Sequence, residues 1–393
     1  MTGPAPAPAG SPWLLQAAAA TSTLDRFVMP PMLIAMAVDL GEPLSAVVAA
    51  ASAYFLAYGL MQPVWGMISD KLGLVRTMRI SLVLSALATT VAAFTESAMG
   101  LGIARGLAGA CFSAAVPAGL IYIGDTVGVD RRQREIASFM AAVAAGTALA
   151  SVVGGLLAQV NGWRAAFIAT GLITAAVAAA LGRVPSPPRV RADQGVIAPM
   201  IAVLRSGSAR LILLLAFTEG VVLLGVLTLL PSAVEAAGAS ASVAGAVTAV
   251  YGVAVLVFAR VAGALSRRLH TSRLIAFGAL AAVAACGLAT LSRSPVAAAL
   301  VACLLGLAWA LMHSSLQTWA TEVLPAARAT VVSAFAGALF LGSAVAAALV
   351  GEWAEAARFT EIFGVATLIA VPLGLIATVA RMRWTRPEGE PGR

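Results

Sequence analysis

The chain has 393 residues, of which 61% are hydrophobic and only 11% are charged, and its mean hydropathy is +0.96. Charged residues make up about a quarter of an ordinary soluble domain, so the composition excludes that class and predicts an all-α, multi-pass membrane protein. The net charge of +8 comes from bases clustered in short turns between apolar runs, which argues against a nucleic-acid partner. The three cysteines, Cys111, Cys286 and Cys303, lie inside apolar runs without paired spacing, so neither a disulfide framework nor a metal site is expected.

In chain order, the apolar runs predict twelve membrane-spanning helices. Residues 1–12 are rich in Pro and Ala and lack Lys and Arg, which predicts a disordered cytoplasmic tail rather than a cleaved signal. Six spans are predicted within residues 13–182, at 13–38, 44–69, 74–95, 98–124, 135–159 and 163–182. Residues 183–209 are rich in Pro and Arg and predict a cytoplasmic linker. Six further spans are predicted within residues 210–381, at 210–236, 240–265, 272–291, 295–321, 326–350 and 357–381, followed by a tail at 382–393.

Lys and Arg residues predict the orientation of these spans. Nineteen of the 25 fall in the alternate turns, linker and tail that would share one membrane face, whereas three fall on the opposite face. The positive-inside rule then places both termini and the linker in the cytoplasm of a cell whose plasma or inner membrane holds the protein.

A short charged turn, GMISDKLGLVR at Gly66–Arg76, separates the second and third spans. We expect Gly66 to permit close approach of another helix, Gly73 to adopt a positive φ, and Asp70 to accept hydrogen bonds from Arg76 or from a helix end. Alternatively, this turn with Lys71 is a solvated marker of topology.

The same turn returns 197 residues later as GALSRRLHTSR at Gly263–Arg273, where Arg267 replaces the acid. The same offset carries Asp125 onto Glu322 and Arg131 onto Arg328 in the next turn on that face. One offset at two places predicts a duplicated six-helix unit, and parallel repeats of this kind place a substrate path between the halves.

Two charged residues, Asp25 and Arg26, interrupt the first span within TSTLDRFVMPPML. A charge at that depth is costly unless it is paired or faces water, so function is the default hypothesis. Neighbouring helical residues point about 100° apart, so the two side chains cannot face one partner. Either Asp25 binds a proton or a cation with Arg26 adjusting its pKa, or the two form structural ion pairs with other helices. Pro30 and Pro31 predict a kink just beyond them.

Two more isolated polar groups are predicted in the seventh and tenth spans. Glu219 falls one turn from the repeat counterpart of Asp25, where it would bind a proton or cation, unless it sits near the helix end and is merely hydrated. Trp309, His313 and Gln317 recur every four residues and share one helical face. That face suits a substrate cavity with a proton carrier, or a neutral His313 hydrogen-bonded between helices.

The turn Gly66–Arg76 resembles the signature turn of the major facilitator superfamily, although Lys71 is followed by Leu74 and Val75 where that family has a further base. RGLAGACFSAAVPAG, which begins at Arg105, resembles the family's fourth-helix arginine segment, and Asn161–Phe167 resembles its sixth-helix entrance. The resemblance covers the whole chain. It implies proton coupling for Arg105 and a cytoplasmic gate at these turns, comprising Gly66, Asp70, Lys71, Gly73, Arg76, Asp125, Arg131, Glu322 and Arg328.

The fifth span contains GTALASVVGG, which resembles the family's antiporter signature except that Ala150 and Ser151 stand where Gly-Pro is usual. We therefore expect a monomeric transporter, closest to the drug:proton antiporters, that exports a small apolar or cationic molecule using the proton gradient and no cofactor. An uptake symporter of the same fold is the alternative, and a non-transporting receptor or scaffold is a third. The sequence shows neither the residue spacing of an enzyme nor a nucleotide-binding loop.

Overall fold

The computed structural model describes residues 12–160, 162–187 and 197–385, and all the regular structure in those ranges is helical. The helices before residue 188 are α1 (Pro12–Val28), α2 (Leu33–Leu40), α3 (Leu44–Leu72), α4 (Leu74–Ala92), α5 (Ala98–Phe112), α6 (Ala115–Thr126), α7 (Val129–Gln159) and α8 (Trp163–Ala180). Those after residue 196 are α9 (Ile197–Arg205), α10 (Gly207–Glu219), α11 (Gly225–Ala236), α12 (Ala241–Leu265), α13 (Thr271–Leu291), α14 (Pro295–Ala308), α15 (Ser314–Ala320), α16 (Arg328–Glu355) and α17 (Phe359–Arg383).

Eleven stretches in the described part of the chain are long and apolar enough to cross a membrane. The first predicted span is not among them, because a 3₁₀ turn at Pro30–Met32 divides it into α1 and α2. Proline lacks the backbone N–H that continues an α-helix and clashes with the preceding turn, so the expected kink is confirmed. The predicted linker also contains a helix, α9, that the Pro and Arg content did not indicate.

Four helices begin after a serine whose hydroxyl accepts a hydrogen bond from the backbone N–H three residues later, which satisfies one of the free donors of the first turn. These serines are Ser97, Ser206, Ser240 and Ser294, before α5, α10, α12 and α14. Large apolar side chains line the outer surface of the bundle. On α5, for example, Met99, Ile103 and Leu107 are 77%, 62% and 57% exposed. Such a stripe suits contact with lipid.

Two helices each contain one wide π turn, at Gly220–Leu224 between α10 and α11 and at Trp309–His313 between α14 and α15. A π turn holds one residue more than an α turn and is frequent at functional sites. The residue just before the first turn is Glu219, and the last residue of the second is His313.

The turns gather at two ends of the bundle. At one end, the Arg164 guanidinium donates to Asp39 and to the carbonyl of Thr95, and the Ser45 hydroxyl donates to Glu355. We call this the far end. At the other end α9 packs against residues 325–327, and the Tyr122 hydroxyl donates to the carbonyl of Pro185. We call this the linker end.

Two long helix pairs join residues 12–187 to residues 197–385: α3 with α16, and α7 with α12. Each pair meets at glycines. A Cβ at Gly59 would lie 2.7 Å from the carbonyl oxygen of Gly337, and a Cβ at Gly155 would lie 2.9 Å from the Cα of Gly245. Because a side chain at either position would collide with backbone, the helices approach this closely only with glycine. We refer to these two contacts as the glycine seams.

Candidate functional site

The Asp25 carboxylate is held inside the bundle by two side chains, Arg105 and Thr89. Arg105 on α5 donates from Nη1 to the carboxylate at 3.0 Å and from Nη2 to the backbone carbonyl of Asp25 at 2.8 Å. The Thr89 hydroxyl on α4 donates to Oδ1 at 2.9 Å. The Asp25 and Arg105 side chains are 0% and 1% exposed. The expectation of an ion pair with another helix is therefore confirmed for Asp25, and the cation in contact with it is Arg105 rather than Arg26.

Aromatic packing and a close helix contact set the position of Arg105. Its guanidinium carbon lies 4.5 Å from the ring centre of Tyr54 and 4.8 Å from that of Phe167, an arrangement that favours a buried cation. One turn further along α5, a Cβ at Gly109 would lie 2.3 Å from the carbonyl oxygen of Tyr54. The close approach of α3 and α5 at this point therefore requires glycine at position 109.

Arg26 points away from Asp25, as the helical geometry predicted. Its guanidinium carbon lies 4.0 Å from the ring centre of Tyr58 on α3 and 4.7 Å from that of Phe340 on α16. The residue is 8% exposed, and its Nε and Nη2 are buried without a hydrogen-bond partner. None of the ion pairs found within residues 12–160, 162–187 and 197–385 includes it.

Glu219 and His313 form a second buried pair. His313 Nδ1 lies 3.1 Å from Glu219 Oε2, and Glu219 is fully buried, which excludes the alternative of a merely hydrated helix end. The second carboxylate oxygen, Oε1, is buried without a hydrogen-bond partner. Glu219 directly precedes one π turn and His313 ends the other, and π turns are frequent at functional sites.

Aromatic rings surround this pair too. The Trp309 and His313 rings stack with centres 3.8 Å apart, so those two residues share a face as predicted, and Phe335 lies 5.7 Å from His313. The rings of Tyr251 and Trp309 are 6.4 Å apart, and the Tyr251 hydroxyl is within electrostatic range of both Glu219 and Arg26. Gln317, one turn beyond, is exposed.

The predictions for the turn Gly66–Arg76 are confirmed in part. Gly73, between α3 and α4, has φ of 87°, as predicted. A Cβ at Gly66 would meet nothing within 4 Å, so the expected close approach of another helix there is wrong: that face of α3 borders open space. Lys71 and Arg76 are exposed. The side chain of Asp70 lies outside the described part of the structure, so its hydrogen bond with Arg76 stays a prediction.

In the neighbouring linker-end turns, Asp125, Arg131 and Arg328 are exposed. Glu322 is half-buried and accepts a hydrogen bond from Arg381 Nη2 at 3.1 Å. Both partners of this ion pair lie after residue 197, so it does not bridge the two predicted halves.

The segment that resembles the family's sixth-helix entrance lies at the far end. Trp163 Nε1 donates to Asp39 Oδ2 at 3.1 Å, and Arg164 pairs with the same carboxylate. The hydrogen bond from Arg164 holds the pKa of Asp39 below its ordinary value. Asn161, which opens this segment in the sequence, lies outside the described residues.

Sequence reasoning missed the rings and the hydroxyl that complete the site. A usable signal existed, because the chain has only four tyrosines. Three of them, Tyr54, Tyr58 and Tyr251, lie beside the buried charges. Thr89 carries no such signal, since threonine in an apolar helix commonly bonds to its own backbone.

Comparison with known proteins places this arrangement in a family. The sequence profile of the Major Facilitator Superfamily matches residues 16–347 and 233–392. The sequence matches none of the curated proteins with which it was compared. Among solved structures, a mutant of the nucleoside transporter NupG is similar with a TM-score of 0.78 and 14% identity, covering 94% of this chain and 100% of that one.

Two further structures share the fold. A bacterial homologue of the human lysosomal transporter Spinster has a TM-score of 0.74 and 17% identity, covering 95% of this chain and 98% of that one. The xylose transporter XylE from E. coli has a TM-score of 0.72 and 16% identity, covering 97% and 98%. The described residues contain eleven long apolar helices with buried charges between them, and the family profile matches most of the chain. This protein is therefore a multi-pass membrane transporter of the Major Facilitator Superfamily.

Proposed function

We propose that this transporter is a proton-coupled secondary transporter that works by alternating access. In this proposal α1 and α2 together make a twelfth span, and residues 13–182 and 210–381 are two six-helix halves that move about a central cargo path. The linker end faces the cytoplasm, and the protein works as a monomer in the cell membrane without a cofactor. The charge count, the 197-residue repeat and the glycine seams between the two segments support this arrangement.

The observation that carries the proton coupling is the Glu219–His313 pair. A fully buried carboxylate with one oxygen 3.1 Å from an imidazole and the other without a partner is a natural acceptor for one proton. Asp25 fits this role less well, because its carboxylate is already ion-paired with the Arg105 guanidinium and also accepts a hydrogen bond from Thr89. We therefore assign the exchangeable proton to Glu219 and His313. Asp25 and Arg105 couple that site to helix movement.

Two directions of transport are candidates. Export of a small apolar or cationic molecule, the direction implied by the antiporter resemblance, is supported by close packing at the fifth-span glycines: a Cβ at Gly154 would lie 2.4 Å from the carbonyl oxygen of Val28. Uptake symport is supported by Arg26, a buried cation that would repel a cationic cargo and favour an anionic one.

The test uses proteoliposomes with a pH-sensitive dye inside and two probes, the apolar cation ethidium and the apolar acid benzoate. We expect transport of either probe to be accompanied by proton movement. Protons should move opposite to ethidium, as in antiport, and together with benzoate, as in symport. Glu219→Gln should stop proton movement while downhill probe flux continues. Glu352→Gln, at an exposed glutamate, is the matched control and should behave like the unmodified protein. The proton movement in protein-free liposomes, which benzoic acid causes by crossing the bilayer in its neutral form, is subtracted. Remaining proton movement that survives Glu219→Gln would refute the assignment.

A further inference from the structure

Arg26 is buried and has no ion-pair partner within the described structure. The buried Asp25, Arg105, Glu219 and Arg381 each have one. Arg105 pairs with Asp25, and Arg381 pairs with Glu322. Glu219 is in contact with His313. A buried charge is strongly unfavourable unless a counter-charge satisfies it. Arg26 therefore has buried donors that a negative group could satisfy.

The two unpartnered donors of Arg26 match the geometry of a carboxylate. Nε and Nη2 lie on one edge of the planar guanidinium and point their N–H bonds in the same direction, forming the two-pronged donor that accepts a carboxylate side-on. These are the two nitrogens that are buried without a hydrogen-bond partner. Lysine could not supply this paired geometry, because its ammonium is a point charge.

Two aromatic rings lie beside the guanidinium of Arg26. Tyr58 and Phe340 have ring centres 4.6 Å apart in an edge-to-face arrangement, and both contact Arg26. Tyr58 belongs to α3 and Phe340 to α16, so this corner spans the seam between the two helices. A flat apolar body attached to a carboxylate could stack there with little loss of conformational freedom.

We infer that Arg26 anchors the carboxylate of a small organic acid, whose apolar or aromatic body packs against Tyr58 and Phe340. The inference rests on the proposed transport function, because the cargo must pass between these helices. It replaces the apolar or cationic cargo expected from the sequence with an apolar anion. It also assigns cargo binding to Arg26 rather than to Asp25, whose carboxylate is ion-paired with Arg105.

Charge balance links this cargo to the proton. The charged or titratable groups in and around the centre are Glu219, His313, Tyr251, Arg26, Asp25, Arg105, Tyr54 and Tyr58. With His313 neutral and the carboxylates ionised, the set is neutral. An ionised acid bound at Arg26 adds one negative charge. One proton bound to the Glu219–His313 pair adds one positive charge and restores neutrality. Cargo and proton then bind together more readily than either alone, which favours symport over antiport.

Paired probes test the inference in purified protein. We would measure thermal stabilisation and dissociation constants for benzoate and 2-naphthoate, for their neutral amides, and for benzylammonium. The acids should bind at least about tenfold more tightly than the amides. Both acids stay ionised between pH 6 and 8, so tighter binding at pH 6, by up to about tenfold per pH unit, would report the linked proton.

Three variants separate a binding role from a structural one. Arg26→Gln should weaken benzoate binding about 10- to 100-fold and leave the ligand-free melting temperature unchanged or higher, because it removes an unpaired buried charge. Arg26→Lys should recover part of the affinity. Arg260→Gln, at an exposed arginine on α12, is the matched control and should leave acid binding unchanged.

Two results would overturn the inference. Acids that bind no better than amides would remove the anion site, and a large fall in the ligand-free melting temperature of Arg26→Gln would make Arg26 structural. Neither result touches the proposed proton site, which Glu219→Gln tests separately. Conversely, Arg26-dependent acid binding without any pH dependence would support the anion site and contradict the proton coupling.

Discussion

Replacing Asp25 by asparagine tests whether the Asp25–Arg105 pair holds the bundle together. The substitution keeps the side-chain shape and one acceptor oxygen but removes the charge that neutralises Arg105. Two unit charges 3.0 Å apart attract by about 5 kcal/mol at an effective dielectric constant near 20. The amide oxygen and the Asp25 carbonyl can still accept from Arg105, so part of the interaction survives. We expect Asp25→Asn to lower the free energy of unfolding by about 3 kcal/mol.

The assay is unfolding in mixed detergent micelles, followed by the fluorescence of the seven tryptophans. A double variant, Asp25→Asn with Arg105→Gln, carries no unpaired charge and should regain about 2 kcal/mol relative to the single variant. Asp39→Asn is the control, because its pair with Arg164 is partly exposed and should cost less than about 1 kcal/mol. If the effects of Asp25→Asn and Arg105→Gln simply add, the pair is not the source of the stability.

Three further predictions concern the backbone and the far end. Gly73→Ala should lower stability by about 1–3 kcal/mol, because φ of 87° with ψ of 152° is a conformation that side chains disfavour; Gly66→Ala, in open space, should be neutral in the same thermal melt. Gly220→Ala should greatly reduce the folded fraction on size-exclusion chromatography, because its Cβ would lie 1.8 Å from a carbonyl oxygen of α16. A normal elution profile would contradict this packing. Glu355→Gln weakens the exposed hydrogen bond from Ser45 at the far end. It should raise the population of molecules that are open at the far end by no more than about fivefold, as measured by spin-label distances.

Apolar length and turn chemistry were enough to predict most of the fold. The end of α7 at Gln159, the start of α8 at Trp163 and the reversal at Gly73 fall where Gly and charge interrupt the hydrophobic runs. The linker helix α9 was missed, because residues 197–205 are apolar but too few to span a membrane, and the nearby prolines favoured a loop. Gly66 was misjudged for a related reason: a glycine marks where another helix could approach, whereas the presence of that helix depends on tertiary packing.

The site could be predicted residue by residue but not as pairs. Asp25, Arg105, Glu219 and His313 each stood out as an isolated polar group in an apolar run. Which of these residues pair depends on the rotation of each helix about its axis. Helices that are rich in small residues on several faces do not specify that rotation. For Glu219 and His313 the rotation of the helices depends also on the two π turns. Neither a proline nor another clear sequence signal predicted those turns.

The glycine seams bear on how such a transporter can change its cargo during evolution. Gly59 and Gly337 meet through backbone atoms, so the close approach of α3 and α16 at this point requires glycine. Tyr58, one residue from Gly59, contacts Arg26 and packs edge-to-face on Phe340 of α16. A smaller ring at position 58 would change the surroundings of Arg26 and leave the glycine contact in place. Two adjacent positions of α3 therefore have different roles, one in the proposed cargo contact and the other in helix packing.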